Sequence, residues 1–273
     1  MDSGKRSMLR NTWWLALPVL GLVILAVASS NNASPDPYVT ESSRAIALAA
    51  FPHDPAAFCQ GLVVDGDTLL EGTGQYGHST LRRVELVSGK VLQSVKLPDQ
   101  YFGEGITLLG DRVYQLTWKS KVCLVYDAKT LQQVGQLPYQ WSGVYKEGWG
   151  LTNDGKNLIV SDGTSTIRTV DPETLREVRQ VKIRDGRRYV ERINELEYVD
   201  GEIWANIWYE DRVARIDPEN GRVKGWIDCR NVYPARQRPD REHVLNGIAC
   251  NAKTGQLFIT GKNWPALYEI KVE

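Results

Sequence analysis

A single acid stands among amides and an indole at one recurring position of this chain: Gln60, Glu104, Trp149, Asn194 and Asn246. Each residue opens a similar stretch, such as "QGLVVDGDTLLEGTG" at Gln60, "EGITLLGDRVYQLTW" at Glu104 and "NELEYVDGEIWANIW" at Asn194. A lone carboxylate can take up a proton and return it, and partial burial beside indoles moves its pKa toward neutrality. Carboxamides recognise amide or carbonyl groups by hydrogen bonding. A second set follows at the far end of each stretch: Gly74, Trp118, Gly163, Trp208 and, after two inserted residues, Lys262. Nothing in strand stability calls for two tryptophans and a lysine there. Together the two sets suit a small pocket in which one carboxyl group moves protons.

Other chemistries lack their residues. There is no GxSxG elbow, and no serine or cysteine nucleophile has a histidine context, so covalent catalysis is disfavoured. No second carboxylate occupies the recurring position, which argues against paired-acid glycoside hydrolysis. Glu195 and Glu197 come next along the fourth stretch, where alternation puts them on one face together and off the face of Asn194. The four cysteines contain no CxxC pair and His53, His78 and His243 are scattered, so no zinc spacing is present. One or two disulfides are expected, and four cysteines allow three full pairings.

The elements that position these residues follow from the repeat. The five starts are 44, 45, 45 and 52 residues apart. Each unit reads as a strand, a glycine-containing turn and a second strand. Another strand pair follows, with turn sequences such as "DPETL" and "DPENG". Four antiparallel strands in about 45 residues are the content of a β-propeller blade. Long helical periodicity is absent. The fold class is therefore all-β, a five-bladed β-propeller spanning 38–273. The fifth unit ends three strands in, at "PALYEIKVE", and "SRAIALAAFP" from Ser43 is predicted to supply the missing strand. First strands line a propeller's channel, so the recurring residues form a ring at one channel mouth.

The first ten residues are basic and precede the uncharged "WWLALPVLGLVILAVA", with Ala26-Val27-Ala28 as a small-x-small site. Residues 1–28 read as a signal peptide or signal anchor and 29–37 as a linker. The domain is then exported, periplasmic or secreted, with a membrane contact only through that segment. Formal net charge is zero, and no basic run follows residue ten, so nucleic acid is not an expected partner.

Several motifs resemble those of the plant-type glutaminyl-peptide cyclotransferases, glutaminyl cyclases also found in bacteria. They are "FCQGL", "YFGEGIT", "LTW", "KEGWGLT", "INELEYVDGEIWANIW" and "LNGIA…TGKNWP", in order and at blade spacing. The resemblance covers nearly all the chain after residue 28. Cys59 departs from it, standing where a hydroxyl residue is expected. It implies a five-bladed fold that converts the N-terminal Gln of peptides or proteins to pyroglutamate and releases ammonia with no metal or cofactor; a monomer is expected. It places the acid/base group at Glu104. Asn194 and Gln60 then hold the carboxamide and its developing oxyanion, and Lys262 binds a carbonyl or steadies that charge. Phe58, Trp118, Trp149 and Trp208 match as pocket residues, while Asn246 joins the substrate-binding set from ring position alone. Two readings compete: a calcium-dependent lactonase-like hydrolase using Glu104, Asn194 and Asn246, and a non-enzymatic peptide-binding propeller.

Overall fold

The computed structural model describes residues 40–141 and 146–273, which belong to one compact unit, Pro37–Glu273. The expected leader, 1–28, and linker, 29–37, lie outside the described residues. No helix among the described residues is long and apolar enough to cross a membrane.

The chain is all-β. Strand β1 is Glu41–Pro52. A four-stranded sheet follows: β2 (Cys59–Asp65), β3 (Thr68–Thr73), β4 (Thr80–Glu85) and β5 (Val91–Lys96). The second is β6 (Gly103–Leu109), β7 (Arg112–Thr117), β8 (Val122–Asp127) and β9 (Gln133–Pro138). The third is β10 (Leu151–Asn153), β11 (Leu158–Ser161), β12 (Thr166–Val170) and β13 (Glu177–Lys182). A short hairpin of β14 (Arg184–Asp185) and β15 (Arg188–Tyr189) comes next. Then come β16 (Ile193–Val199), β17 (Glu202–Ile207), β18 (Arg212–Ile216) and β19 (Val223–Asp228). A 3₁₀ turn at Ala235–Gln237 precedes β20 (Leu245–Cys250), β21 (Leu257–Gly261) and β22 (Ala266–Val272).

Strand β1 does two jobs. Its later residues pair antiparallel with β22, completing β20–β22 as the sequence predicts. Its first residues, Glu41 to Arg44, run parallel to β19, a contact the repeat does not announce. The result is one eight-stranded sheet in which β1 joins two groups of strands. The open edge expected at the last unit is thereby covered, and the outer edge of β19 is covered with it.

Burial grades across each group. The first two strands are buried almost throughout, whereas β5, β9 and β13 alternate exposed and half-buried residues. Hydrophobic clusters fill the spaces between consecutive groups. Leu70 and Leu81 of the first sheet meet Ile106 and Leu124 of the second. Further clusters join second to third, third to β16–β19, and those strands to β20–β22. The last joins Phe258 and Leu267 back to Leu62 and Leu69 of the first sheet. Each buried leucine there contributes about 1.5–3 kcal/mol through removal of apolar surface from water. The first strands follow the same circuit: β2 touches β6, β6 touches β10, β10 touches β16, β16 touches β20, and β20 touches β2.

The expected disulfides are not formed: all four cysteines are free. Cys59 and Cys123 pack in different clusters, and Cys229 and Cys250 share one without bonding. These thiols fill core volume, and burial pushes their pKa values up, to about 12 for Cys123.

The first strands approach one another closely enough to require glycine. A Cβ on Gly150 would stand 1.9 Å from the Asn194 carbonyl oxygen, and one on Gly105 2.5 Å from the Leu151 nitrogen. Side chains tie the same strands together. Glu195 accepts from the Ile248 N–H at 2.9 Å and Glu197 from the Cys250 N–H at 2.8 Å. The two glutamates share a face, as alternation predicts.

Burial in this position pushes the Glu197 carboxyl up to about 8. A raised carboxyl pKa adds stability that is full below the unfolded value of about 4.5 and fades as pH rises through the folded value. Wild-type protein is therefore expected to lose stability between about pH 5 and pH 8. Glu197→Gln should flatten that loss by about 2 kcal/mol, after discounting for partial exposure. Urea denaturation of both proteins at the two pH values measures it; equal slopes would refute it.

Candidate active site

In four of the five first strands, a register shift falls at the recurring residue. The shifts lie between Cys59 and Gly61, Gly103 and Ile106, Ile193 and Leu196, and Leu245 and Ile248. Bulges of this kind re-aim a side chain out of the ladder. They free Gln60, Glu104 and Asn194 from simple alternation. In the third sheet β10 begins only after Trp149, so this residue precedes the ladder.

A cavity of about 190 Å³ opens at these bulges. Eight of the nine nominated residues line it: Phe58, Gln60, Glu104, Trp118, Trp149, Asn194, Trp208 and Lys262. Asn246 does not. It is wholly buried, and its Nδ2 donates to the Cys59 carbonyl at 3.0 Å and to Gln60 Oε1 at 3.1 Å. Asn246 is expected in the substrate-binding set; its side chain instead lies behind the cavity wall and holds Gln60. The calcium trio is also broken, because Asn246 does not face the cavity that Glu104 and Asn194 share.

Glu104 and Lys262 are both 5% exposed. Burial pushes the Glu104 carboxyl well above its usual range; Lys262 opposes this and the like charge of Glu147 adds to it. Burial lowers the Lys262 pKa, and the attraction of Glu104 offsets part of that. Each ion thus supports the other's charge. Lys262 Nζ also lies 4.6 Å from the centre of the Phe58 ring, a cation–π placement. No described residue donates a hydrogen bond to the Glu104 carboxyl, so it is free to exchange a proton with a guest.

The three indoles are held differently. Trp118 Nε1 donates to Glu147 Oε2 at 2.6 Å, and Trp149 Nε1 donates to the same oxygen at 2.9 Å. Trp208 stands edge-on to Trp149, with centroids 5.5 Å apart, and its Nε1 is buried without a partner. The cavity therefore holds one uncommitted indole donor. Asn194 Oδ1 is likewise buried and unpartnered. The glycines of the second set make room for aromatic walls. A Cβ on Gly74 would meet the Phe102 ring at 2.4 Å, and one on Gly163 the Trp149 ring at 2.7 Å.

Sequence reasoning missed Glu147, Phe102, Gln75 and Glu242. Glu147 and Phe102 sit inside quoted motifs, next to nominated residues. Glu242 lies in the insert that lengthens the last spacing, where no repeat register reaches it. Glu147→Gln keeps the volume but weakens both indole bonds. It should lower kcat/KM about tenfold, mainly through KM, as the two walls loosen. Loss of its charge should also lower the Glu104 pKa, moving the acidic limb of the pH–rate profile down. An unmoved profile with normal KM would reduce Glu147 to a surface role.

An all-β enzyme with its pocket at first-strand bulges is the class that this fold and cavity define. Residues 19–272 match the family model described as glutamine cyclotransferase. Over 229 residues the chain is 44% identical to the glutaminyl-peptide cyclotransferase of Arabidopsis thaliana, covering 83% of this chain and 70% of that protein. The crystal structure of Myxococcus xanthus glutaminyl cyclase superposes with a TM-score of 0.79 at 35% identity, over 86% of this chain and 99% of that one. The chain belongs to the glutamine cyclotransferase family.

Proposed function

We propose that this chain cyclises the N-terminal Gln of peptides or proteins to pyroglutamate, with Glu104 as general base and then general acid and without a metal. The observation that carries this reading is the Glu104 carboxyl. It is buried, free of protein donors and set opposite Lys262 in a cavity with room for about six waters.

The substrate's α-amine attacks its own side-chain carboxamide carbon. The new N–C bond closes a five-membered lactam ring and puts negative charge on the carboxamide oxygen. Glu104 takes the proton that the amine sheds. A carboxyl whose pKa is raised is a better match to an α-amine of about 8 than an ordinary one. The protonated Glu104 then gives its proton to the carboxamide nitrogen, the C–N bond breaks, and ammonia leaves. Gln60 Nε2, oriented by Asn246, Trp208 Nε1 and the Lys262 ammonium are the donors available to the oxyanion. Asn194 Oδ1 is an acceptor for the carboxamide or amine N–H. Trp118, Trp149 and Phe58 exclude water and hold the side chain folded toward the amine, which supplies the intramolecular advantage.

The same proposal takes the fold as a five-bladed propeller closed by β1. Support comes from the circuit of first strands and from the cluster that joins the last strands to the first sheet. Mass spectrometry of Gln-initiated peptides, with and without chelator, tests the function. Loss of one ammonia in both arms is the expected result. No loss in either arm overturns the activity, and loss abolished by chelator overturns the metal-free mechanism.

A further inference from the structure

Among the described residues, three charged ones line the cavity: Glu104, Lys262 and Glu242. The first two are buried at its floor. Glu242 is exposed and belongs to the segment between β19 and β20, residues 229–244, which is longer than the connections that follow β5, β9 and β13. That segment makes the last spacing 52 residues instead of 44 or 45. It brings a carboxylate to a mouth that the repeated strands leave uncharged.

The carboxylate is held in place. Tyr209 donates its hydroxyl to Glu242 Oε1 at 2.6 Å, and the Tyr209 ring stacks on Trp208 with centroids 4.4 Å apart. Arg241 Nε stands 3.8 Å from the same Oε1, and the Arg241 guanidinium lies over the Tyr209 ring at 4.7 Å. Both contacts use Oε1. Oε2 has no partner among the described residues. The neighbouring cations are otherwise engaged: Arg238 pairs with Asp211 at 2.8 Å, and Lys119 lies over the Trp118 ring at 3.8 Å. Neither lines the cavity, and the charge of Glu242 reaches Lys262 at the floor.

Resting on the proposed cyclisation, the geometry points to a subsite for the second residue of the substrate. A cavity of this size holds the terminal Gln and little more. Its α-amine and carboxamide must both lie by Glu104, so the rest of the peptide leaves through the mouth. The side chain of the second residue then passes Glu242. We propose that Glu242 is a specificity residue that favours a cationic side chain, Lys or Arg, directly after the terminal Gln. An ion pair at an exposed mouth is modest, so a preference of about threefold over Ala is expected, with Glu disfavoured by a similar factor. Salt should compress it.

The test uses the full chain and three peptides that differ only at position two, as Gln-Lys, Gln-Ala and Gln-Glu. Wild-type kcat/KM should fall in that order. Glu242→Gln should bring the Lys-to-Glu ratio close to one, and Glu242→Lys should invert it. Equal ratios in all three proteins would overturn the subsite. A binding arm keeps this separate from the proposed activity. Tryptophan fluorescence of Glu104→Gln titrated with the same peptides reads the charge preference without turnover. Selective binding in this arm, with wild-type protein that cyclises none of the three peptides, would sink the activity and leave the subsite standing. Cyclisation with no charge preference in either arm would do the reverse.

Discussion

Glu104→Gln is expected to lower the rate of ammonia release from Gln-initiated peptides by about 10²–10⁴, the range that a positioned acid/base group contributes. KM should change little. Gln keeps the volume and the two-atom fork, and the walls made by Phe58, Trp118 and Trp149 do not depend on the lost proton. The variant should also be more stable than wild type at neutral pH. Burial raises the Glu104 pKa, so the folded state favours the protonated form. Stability from that form is full below the unfolded pKa of about 4.5 and is lost as pH rises through the folded value. A neutral amide carries no such loss. Lower activity with a higher Tm is the pattern of a residue kept for chemistry at the expense of stability. Near-normal ammonia release would remove Glu104 from the mechanism, and a lower Tm would make it structural.

Replacement of Lys262 by Met should reduce kcat about a hundredfold, the low end of what removal of one oxyanion donor does. Met retains the length and the contact with the Phe58 ring but has no charge. Its second effect has a definite sign. Lys262 holds the Glu104 pKa down against burial. Without it that pKa rises further, and the acidic limb of the pH–rate profile moves up. Glu147→Gln moves the same limb down, because Glu147 is a like charge. Opposite shifts from the two variants would show that both act on one carboxyl group. Unchanged kinetics in Lys262→Met would take the ammonium out of the site.

The lining of the candidate cavity was largely legible in the sequence, and the reason is the repeat. Units of about 45 residues place equivalent residues side by side, so aligning five stretches is enough to gather Gln60, Glu104, Trp149 and Asn194. Trp118, Trp208 and Lys262 follow from the second register. What the alignment could not carry was direction. Asn246 holds the same register as Gln60 and Asn194, yet its amide turns sideways to the Cys59 carbonyl and Gln60. A bulge leaves register intact and changes aim, and aim depends on which acceptor the next sheet offers. The disulfides failed for a related reason. Pairing needs proximity and direction, which a cysteine count does not contain.

From sequence alone came the all-β class, the repeated unit, the need for a completing strand before the first unit and the lone acid at the recurring position. These are properties of local pattern and period, and they survive any arrangement of the units. Tertiary structure decided the rest. It brought both Trp118 and Trp149 onto the one oxygen of Glu147 and left Trp208 with a free indole N–H. It set Glu242 at the mouth from a segment outside the repeat, and it laid β1 along β19 as well as β22. Apart from the short Trp149–Glu147 bond, these features rest on residues far apart in the chain. Such contacts depend on how separate units pack, which no single period in the sequence encodes.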